Sequence, residues 1–435
     1  MITNSILFDH DLDLKDDYRR VTGGGSEAGA LFRGREMQHH TVVIDRPTGE
    51  HASWLRPAFR WRNPDGSYHP WMIGIGGRLV PEAEVYEISS HPIAMSAIFA
   101  GVIAPFRPGK DQVEEYFGLV MVVLGWLGAL LTFRIARQSG SNRLFSMVPV
   151  AILLFASPWL ANPQSFYSEV PIGVALLLAL WAFVKHRPIL TALGVALAMF
   201  MKPPFVLIGL AFALELLYAR RGRALVQLLI VLAASVTVLM TFNYWLARTL
   251  IIPPLVRPLR FDPFPSFVGR AIDAHLNAHP HSRRLSGEMI NKFRCFFDNL
   301  THKTYGLLWY TPWVVCAFWA LARAGWRYAA GDDILAAMSF PILFNFLMLG
   351  SLAVPFRNFS PGYCYGPRYW GSIAPVVALA VGRFFESGGV AMRWCLGAAI
   401  VAGAVISFSG ALRYPHLFEQ PFYASLTMEQ VKTLR

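Results

Sequence analysis

Charge is scarce in this sequence. Asp, Glu, Lys and Arg make up 15% of its 435 residues, against about 25% in ordinary soluble domains, while 54% are hydrophobic. That shortage excludes most soluble folds of this length. Cysteine is equally sparse: Cys295, Cys316, Cys364 and Cys395 lie far apart, with no CxxC and no Cys/His ligand spacing, which excludes a disulfide framework and a zinc ribbon. The opening stretch, MITNSILFDHDLDLKDDYRR, lacks a basic region followed by an apolar core, so it does not read as a secretory signal. His39, His40, His69, His91, His275, His279 and His281 include an i, i+4 pair but no HExxH, so no metal motif is formed. Acidic residues almost vanish between Phe117 and Phe261, where only Glu169 and Glu215 occur.

What is present is a mean hydropathy of +0.41 with 14% aromatic residues, the composition of a polytopic membrane protein. Weakly charged runs near the roughly 20 residues needed per crossing occur at 116–133, 144–160, 170–184, 189–201, 204–219, 224–247, 305–322, 334–356, 369–382 and 394–412. They predict an all-α polytopic fold with about ten transmembrane helices. Residues 1–110 read as an outer-face region of mixed, irregular structure with a few short strands, ending in an interfacial helix near 91–106. The expected organisation continues with a helix bundle over 111–247, an outer-face loop over 248–304, C-terminal transmembrane helices over 305–412 and a short tail over 413–435.

The charges encode orientation. Residues 1–92 hold 13 of the 27 acidic residues but only 10 of the 39 Lys and Arg, so the cations concentrate in the remainder. There they cluster in alternate turns: Arg134, Arg137 and Arg143; Lys185 and Arg187; Arg220, Arg221 and Arg223; Arg323 and Arg327; Arg383 and Arg393. By the positive-inside rule these turns face the cytoplasm. The opposite turns and residues 1–110 then face outward, as expected for a multi-pass protein of a bacterial cytoplasmic membrane. No interleaved basic and aromatic motif is present, which argues against nucleic acid as a partner. Translocating so long a polar N-terminal region predicts a further membrane helix upstream of Met1.

Several residues carry candidate chemistry. Asp9, Asp11, Asp13, Asp16 and Asp17 form an acidic run without the glycine and distal glutamate of an EF-hand loop. It reads either as a solvated turn or as a source of a general base. Glu169 sits where the polar turn NPQSFYSEVP becomes an apolar helix, as a helix-capping charge or as a functional carboxylate at membrane depth. Lys202, in FMKPPF, either snorkels to the interface or binds a lipid phosphate. In SPGYCYGPRYW, residues 360–370, Arg368 stands among Tyr363, Tyr365, Tyr369 and Trp370 on the side where the positive-inside rule does not place cations. An aromatic belt is the plain reading; an Arg with flat amphipathic neighbours also suits a phosphate beside a sugar.

The ordered stretches NSILFDHDLDLKDDY (4–18), HPIAMSAIFAGVIAPF (91–106), FYSEVPIGVALLLALWAF (166–183), GVALAMFMKPPFVL (194–207), YGLLWYTPWVV (305–315) and YGPRYWGSIAPVVALA (365–380) together resemble the GT-C superfamily of integral membrane glycosyltransferases, which contains protein O-mannosyltransferases and lipid A aminoarabinose transferases. The resemblance implies transfer of a sugar from a polyprenyl-phosphate donor to an outer-face acceptor, with inversion at the anomeric carbon. It implies phosphate-binding roles for Lys202 and Arg368, substrate contacts from Tyr365 and Tyr369, and carboxylate roles for Glu169 and for Asp9, Asp11 or Asp13. In relatives of this type a first helix and a short acidic motif precede the segment matching residues 2–14, and the main catalytic Asp is expected there. The lipid bilayer, a lipid-linked sugar and the acceptor are the expected partners. Beyond the donor no cofactor is implied, and a divalent metal is left open. Two other readings stand beside this one: a transporter or flippase for a lipid-linked or anionic solute, with Glu169, Lys202 and Arg368 lining its path, and a non-catalytic truncated homologue.

Overall fold

A computed structural model describes residues 5–12, 40–45, 47–48, 51–55, 60–62, 68–75, 78–81, 84–89, 93–109, 112–157, 168–247, 300–301, 306–316 and 371–413, together with Thr3, Trp159 and Trp319. They belong to two compact units, one drawn from Met1–Phe117 and Ala234–Arg257, the other from Gly118–Ala233 and Pro258–Arg435.

The first unit opens on a wide helical turn, Ser5–Asp9, and continues as strands β1 (His40–Asp45), β2 (His51–Leu55), β3 (Arg60–Arg62), β4 (Tyr68–Ile75), β5 (Arg78–Pro81) and β6 (Val85–Ser89). These form two antiparallel sheets, ordered β2-β1-β6 and β3-β4-β5, with Val42 opposite Ser53 on one side and Ile88 on the other. The region is thus more regular than its Gly- and Pro-rich composition led us to expect. Register explains why: Ile44 and Ile88 are buried with Ile93 in one apolar cluster that Ile6, Leu12 and Tyr86 border, and pairing that buries one face fixes the strands. Asp45, buried at the end of β1, accepts a hydrogen bond from Thr48 Oγ1 that closes the turn to β2. Helix α1 (Ala94–Ile103) follows, ending in a short 3-10 turn, Ala104–Phe106.

Helices occupy the apolar runs that come next: α2 (Val113–Gln138), α3 (Arg143–Phe155), α4 (Glu169–Val184), α5 (Pro188–Met201), α6 (Val206–Tyr218) and α7 (Gly222–Ala247), and later α8 (Ala374–Ser387) and α9 (Val390–Arg413). Among the described residues three helices are long and apolar enough to cross a membrane, at Glu115–Gln138, Gly222–Trp245 and Val390–Ser409. The helices between them are shorter, so the expected ten full crossings are not matched element for element. The run 305–322 is described only in part, beginning with a helical turn at Leu307–Tyr310, and 334–356 lies outside the described residues.

Many large apolar side chains on these helices are exposed, including Trp126 and Trp394 at 67% and 77% exposure, as expected of surfaces facing hydrocarbon. Polar side chains in these helices and at their ends bond back to the preceding turn: Thr132 Oγ1 donates to Gly128 O, Ser157 Oγ to Leu153 O and Thr191 Oγ1 to Arg187 O. A hydroxyl satisfied in this way can remain in an apolar environment.

The second unit is packed through small residues. A β-carbon on Gly194 in α5 would lie 2.8–2.9 Å from the backbone of Ala175 and Ala179 in α4, so these helices cross with their backbones in contact. One on Gly382 in α8 would lie 2.6 Å from Cδ of Pro149 in α3. Trp159 is fully buried and fills the space left by Gly128 and Gly173. Trp313 Nε1 donates to Ala156 O over 2.5 Å, tying the 306–316 segment to the end of α3.

Candidate functional site

Pro203 and Pro204 create the local geometry of the site. A residue preceding proline is driven out of the helical region, and Lys202 accordingly adopts φ −149°, ψ 105° and ends α5. Its own N–H still donates to Ala198 O, and its carbonyl accepts from Phe205 N–H, so the break is a fixed corner. Because α4 and α5 run antiparallel, the end of α5 lies beside the start of α4, whose first residue is Glu169.

At that corner Lys202 Nζ lies 2.5 Å from Glu169 Oε1. The Glu169 side chain is 1% exposed and that of Lys202 23%. A carboxylate withdrawn from water among apolar helices requires a cation and hydrogen-bond donors, and a helix N-terminus adds further stabilisation. Glu169 does start a helix, and Lys202, ending the next one, is bound to it.

One turn further along α4, Gly173 marks a second approach. A β-carbon there would lie 2.6 Å from Trp159 Cζ3 and 3.2 Å from the carbonyl oxygen of Ser372. Ser372 is buried just ahead of α8, so the start of α8 abuts the same end of α4 that carries Glu169. Arg368 precedes Ser372 by four residues. Arg368, Tyr365 and Tyr369 themselves lie outside the described residues, as does Asp13.

Asp9 and Asp11 belong to the other unit. Asp11 is exposed and accepts from Ser5 Oγ at both its backbone oxygen (3.1 Å) and Oδ1 (3.0 Å). Asp9 is half-buried at the end of the wide helical turn, with His10 beside it at φ 57°. Among the described residues no group of three or more His, Cys, Asp or Glu is placed to hold a metal ion.

Sequence reasoning missed the joint between the α2/α3 and α8/α9 turns. Asn142 N–H donates to Glu386 Oε1 over 3.3 Å and Arg383 Nη1 to Glu386 Oε2 over 2.9 Å. Arg393 donates to the Phe385 and Glu386 carbonyls and lies 5.1 Å from the ring centre of Phe145. Glu386 stands beyond the apolar span 369–382. Partial burial alone raises its carboxyl, but hydrogen bonds from Ser141, Asn142 and Arg383 and the Arg383 charge outweigh that and leave it below the ordinary carboxylate range. The usable signal was a lone acid among the basic residues of those turns.

No family model matches the chain, and no curated protein is significantly similar to it. Among solved structures it is similar to the apo-form oligosaccharyltransferase of Archaeoglobus fulgidus, at 11% identity and a TM-score of 0.44, over 85% of this chain and 49% of that one. The chain thus spans about half the length of the structure it matches.

Proposed function

We propose that this chain is a membrane glycosyltransferase that moves a sugar from a polyprenyl-phosphate donor to an acceptor on the outer face of a cell membrane. The observation that carries this reading is the ion pair of part-exposed Lys202 with buried Glu169 where α4 begins, one turn from the contact with Ser372, which follows Arg368 by four residues in sequence. Glu169 holds the ammonium in one place, so little side-chain freedom is lost when a phosphate docks against it. Arg368 adds a guanidinium whose planar fork suits phosphate oxygens, and Tyr365 and Tyr369 supply faces on which a sugar ring stacks.

The reaction is a direct displacement. The acceptor oxygen bonds to the anomeric carbon, the bond from that carbon to the phosphate oxygen breaks, and polyprenyl phosphate leaves with the electron pair. The two cations stabilise the charge that develops on the departing phosphate. The acceptor's proton passes to a carboxylate acting as general base. General-base help of this kind is worth roughly 10²–10⁴-fold.

Binding tests the phosphate recognition on which this reading rests. The purified full-length protein in lipid nanodiscs is titrated with a polyprenyl-phosphate hexose and with the matching polyprenol, which lacks phosphate. Tighter binding of the phosphate-bearing lipid, weakened by Arg368→Ala, is the expected result. Equal binding of the two lipids would remove phosphate recognition from the account.

A further inference from the structure

The turns that close α4 and α6 lie at the end of the bundle away from Lys202, and both use the same backbone bonds. Arg187 N–H donates to Ala182 O and His186 N–H to Phe183 O; Arg221 N–H donates to Leu216 O and Arg220 N–H to Leu217 O. This closure places one residue in the left-handed region, a position normally given to glycine. After α2 the same closure does use glycine, Gly140 at φ 90°. In the other two turns the position is held by His186 at φ 55° and Arg220 at φ 53°. A bulky side chain there strains the backbone, and strain of this kind gathers at functional sites.

The residues in that strained conformation belong to a basic patch. Lys185, Arg187, Arg220, Arg221 and Arg223 are all exposed. The acids of residues 118–233, Glu169 and Glu215, are both buried. Arg221 Nη1 lies 2.7 Å from His186 Nδ1, a contact that joins the two turns. Beside the cations, Ile189, Leu190, Leu217 and Tyr218 are exposed and apolar.

We propose that these two turns form a binding site for the headgroup phosphate of an anionic membrane phospholipid. The guanidinium groups take the phosphodiester oxygens, and the exposed apolar residues lie along the acyl chains. The apolar border selects a lipid over a free anion.

The test uses the purified full-length protein in neutral detergent, with thermal melting and native mass spectrometry in phosphatidylglycerol, phosphatidylcholine or inorganic phosphate. Arg220→Gly removes a cation while giving the backbone the residue it prefers, so the variant melts no lower than the wild type in phosphatidylcholine. Its affinity for phosphatidylglycerol falls about five-fold, and that of Arg221→Gln with Arg223→Gln about twenty-five-fold, at roughly one such factor per cation. Inorganic phosphate produces no shift. Undiminished phosphatidylglycerol binding in both variants, or an equal shift with inorganic phosphate, would overturn the proposal.

Discussion

Lys202 Nζ and Glu169 Oε1, 33 residues apart in sequence, meet at 2.5 Å with the carboxylate enclosed by the bundle. The pair joins the end of α5 to the start of α4, so its first duty is to the fold. Breaking a buried pair from one side leaves an uncompensated charge at about 3–5 kcal/mol, whereas replacing both partners with apolar residues is far milder. Lys202→Met alone is therefore expected to lower the melting temperature sharply, and Lys202→Met with Glu169→Leu to recover most of the loss. Thermal melts of the two single variants and the double variant check this; additive losses would show that the two side chains do not act as a pair.

Gly173 permits Trp159 and Ser372 to approach α4 together. Gly173→Ala adds a methyl group where none fits, and overpacking of this kind typically destabilises by about 1–3 kcal/mol. Tryptophan fluorescence should shift together with the lowered melting temperature. An unchanged melt would mean that α8 does not press on α4 at this point.

Gly194 meets the backbone of α4, which cannot rotate aside as a side chain can. Gly194→Leu is accordingly expected to separate α4 and α5 and to abolish accumulation of folded protein, as read by size-exclusion profile. Leu190→Ala on the exposed side of the same helix should leave the profile unchanged, which distinguishes the close crossing from a general sensitivity of α5.

Glu386 holds its proton less tightly when folded than when unfolded. Its contribution to stability is therefore present above the ordinary carboxyl value of 4.5 and is lost as pH falls through the depressed folded value. Melts between pH 7 and pH 3 should show a fall at the acid end that is smaller in Glu386→Gln. Identical acid profiles would separate Glu386 from the joint it forms with Asn142 and Arg383.

The apolar runs from 116 to 247 were legible because each begins next to a charged residue or a proline, and helix starts follow those marks within a few residues. The sheets were less legible, since alternation in HTVVID or VYEIS is too short to outweigh the surrounding Gly and Pro. Glu169 and Lys202 could each be singled out, as the rare acid and the lone cation of their turns. Their contact could not, because it depends on how closely α4 and α5 cross, and that is decided by Gly194 against Ala175 and Ala179. The left-handed His186 and Arg220 were invisible for a related reason: a turn that usually takes glycine gives no glycine to read.

The central claim is that a lipid-linked sugar is transferred with a phosphate as leaving group, and release of that phosphate measures it most directly. In proteoliposomes supplied with a polyprenyl-phosphate hexose and an acceptor extract, the full-length wild type is expected to release polyprenyl phosphate in step with glycosylated product. Arg368→Ala should lower the rate by about 10²-fold, the scale of losing one charge-stabilising donor. Donor carried across the bilayer intact by the wild type, with no phosphate released, would contradict the account and identify a transporter.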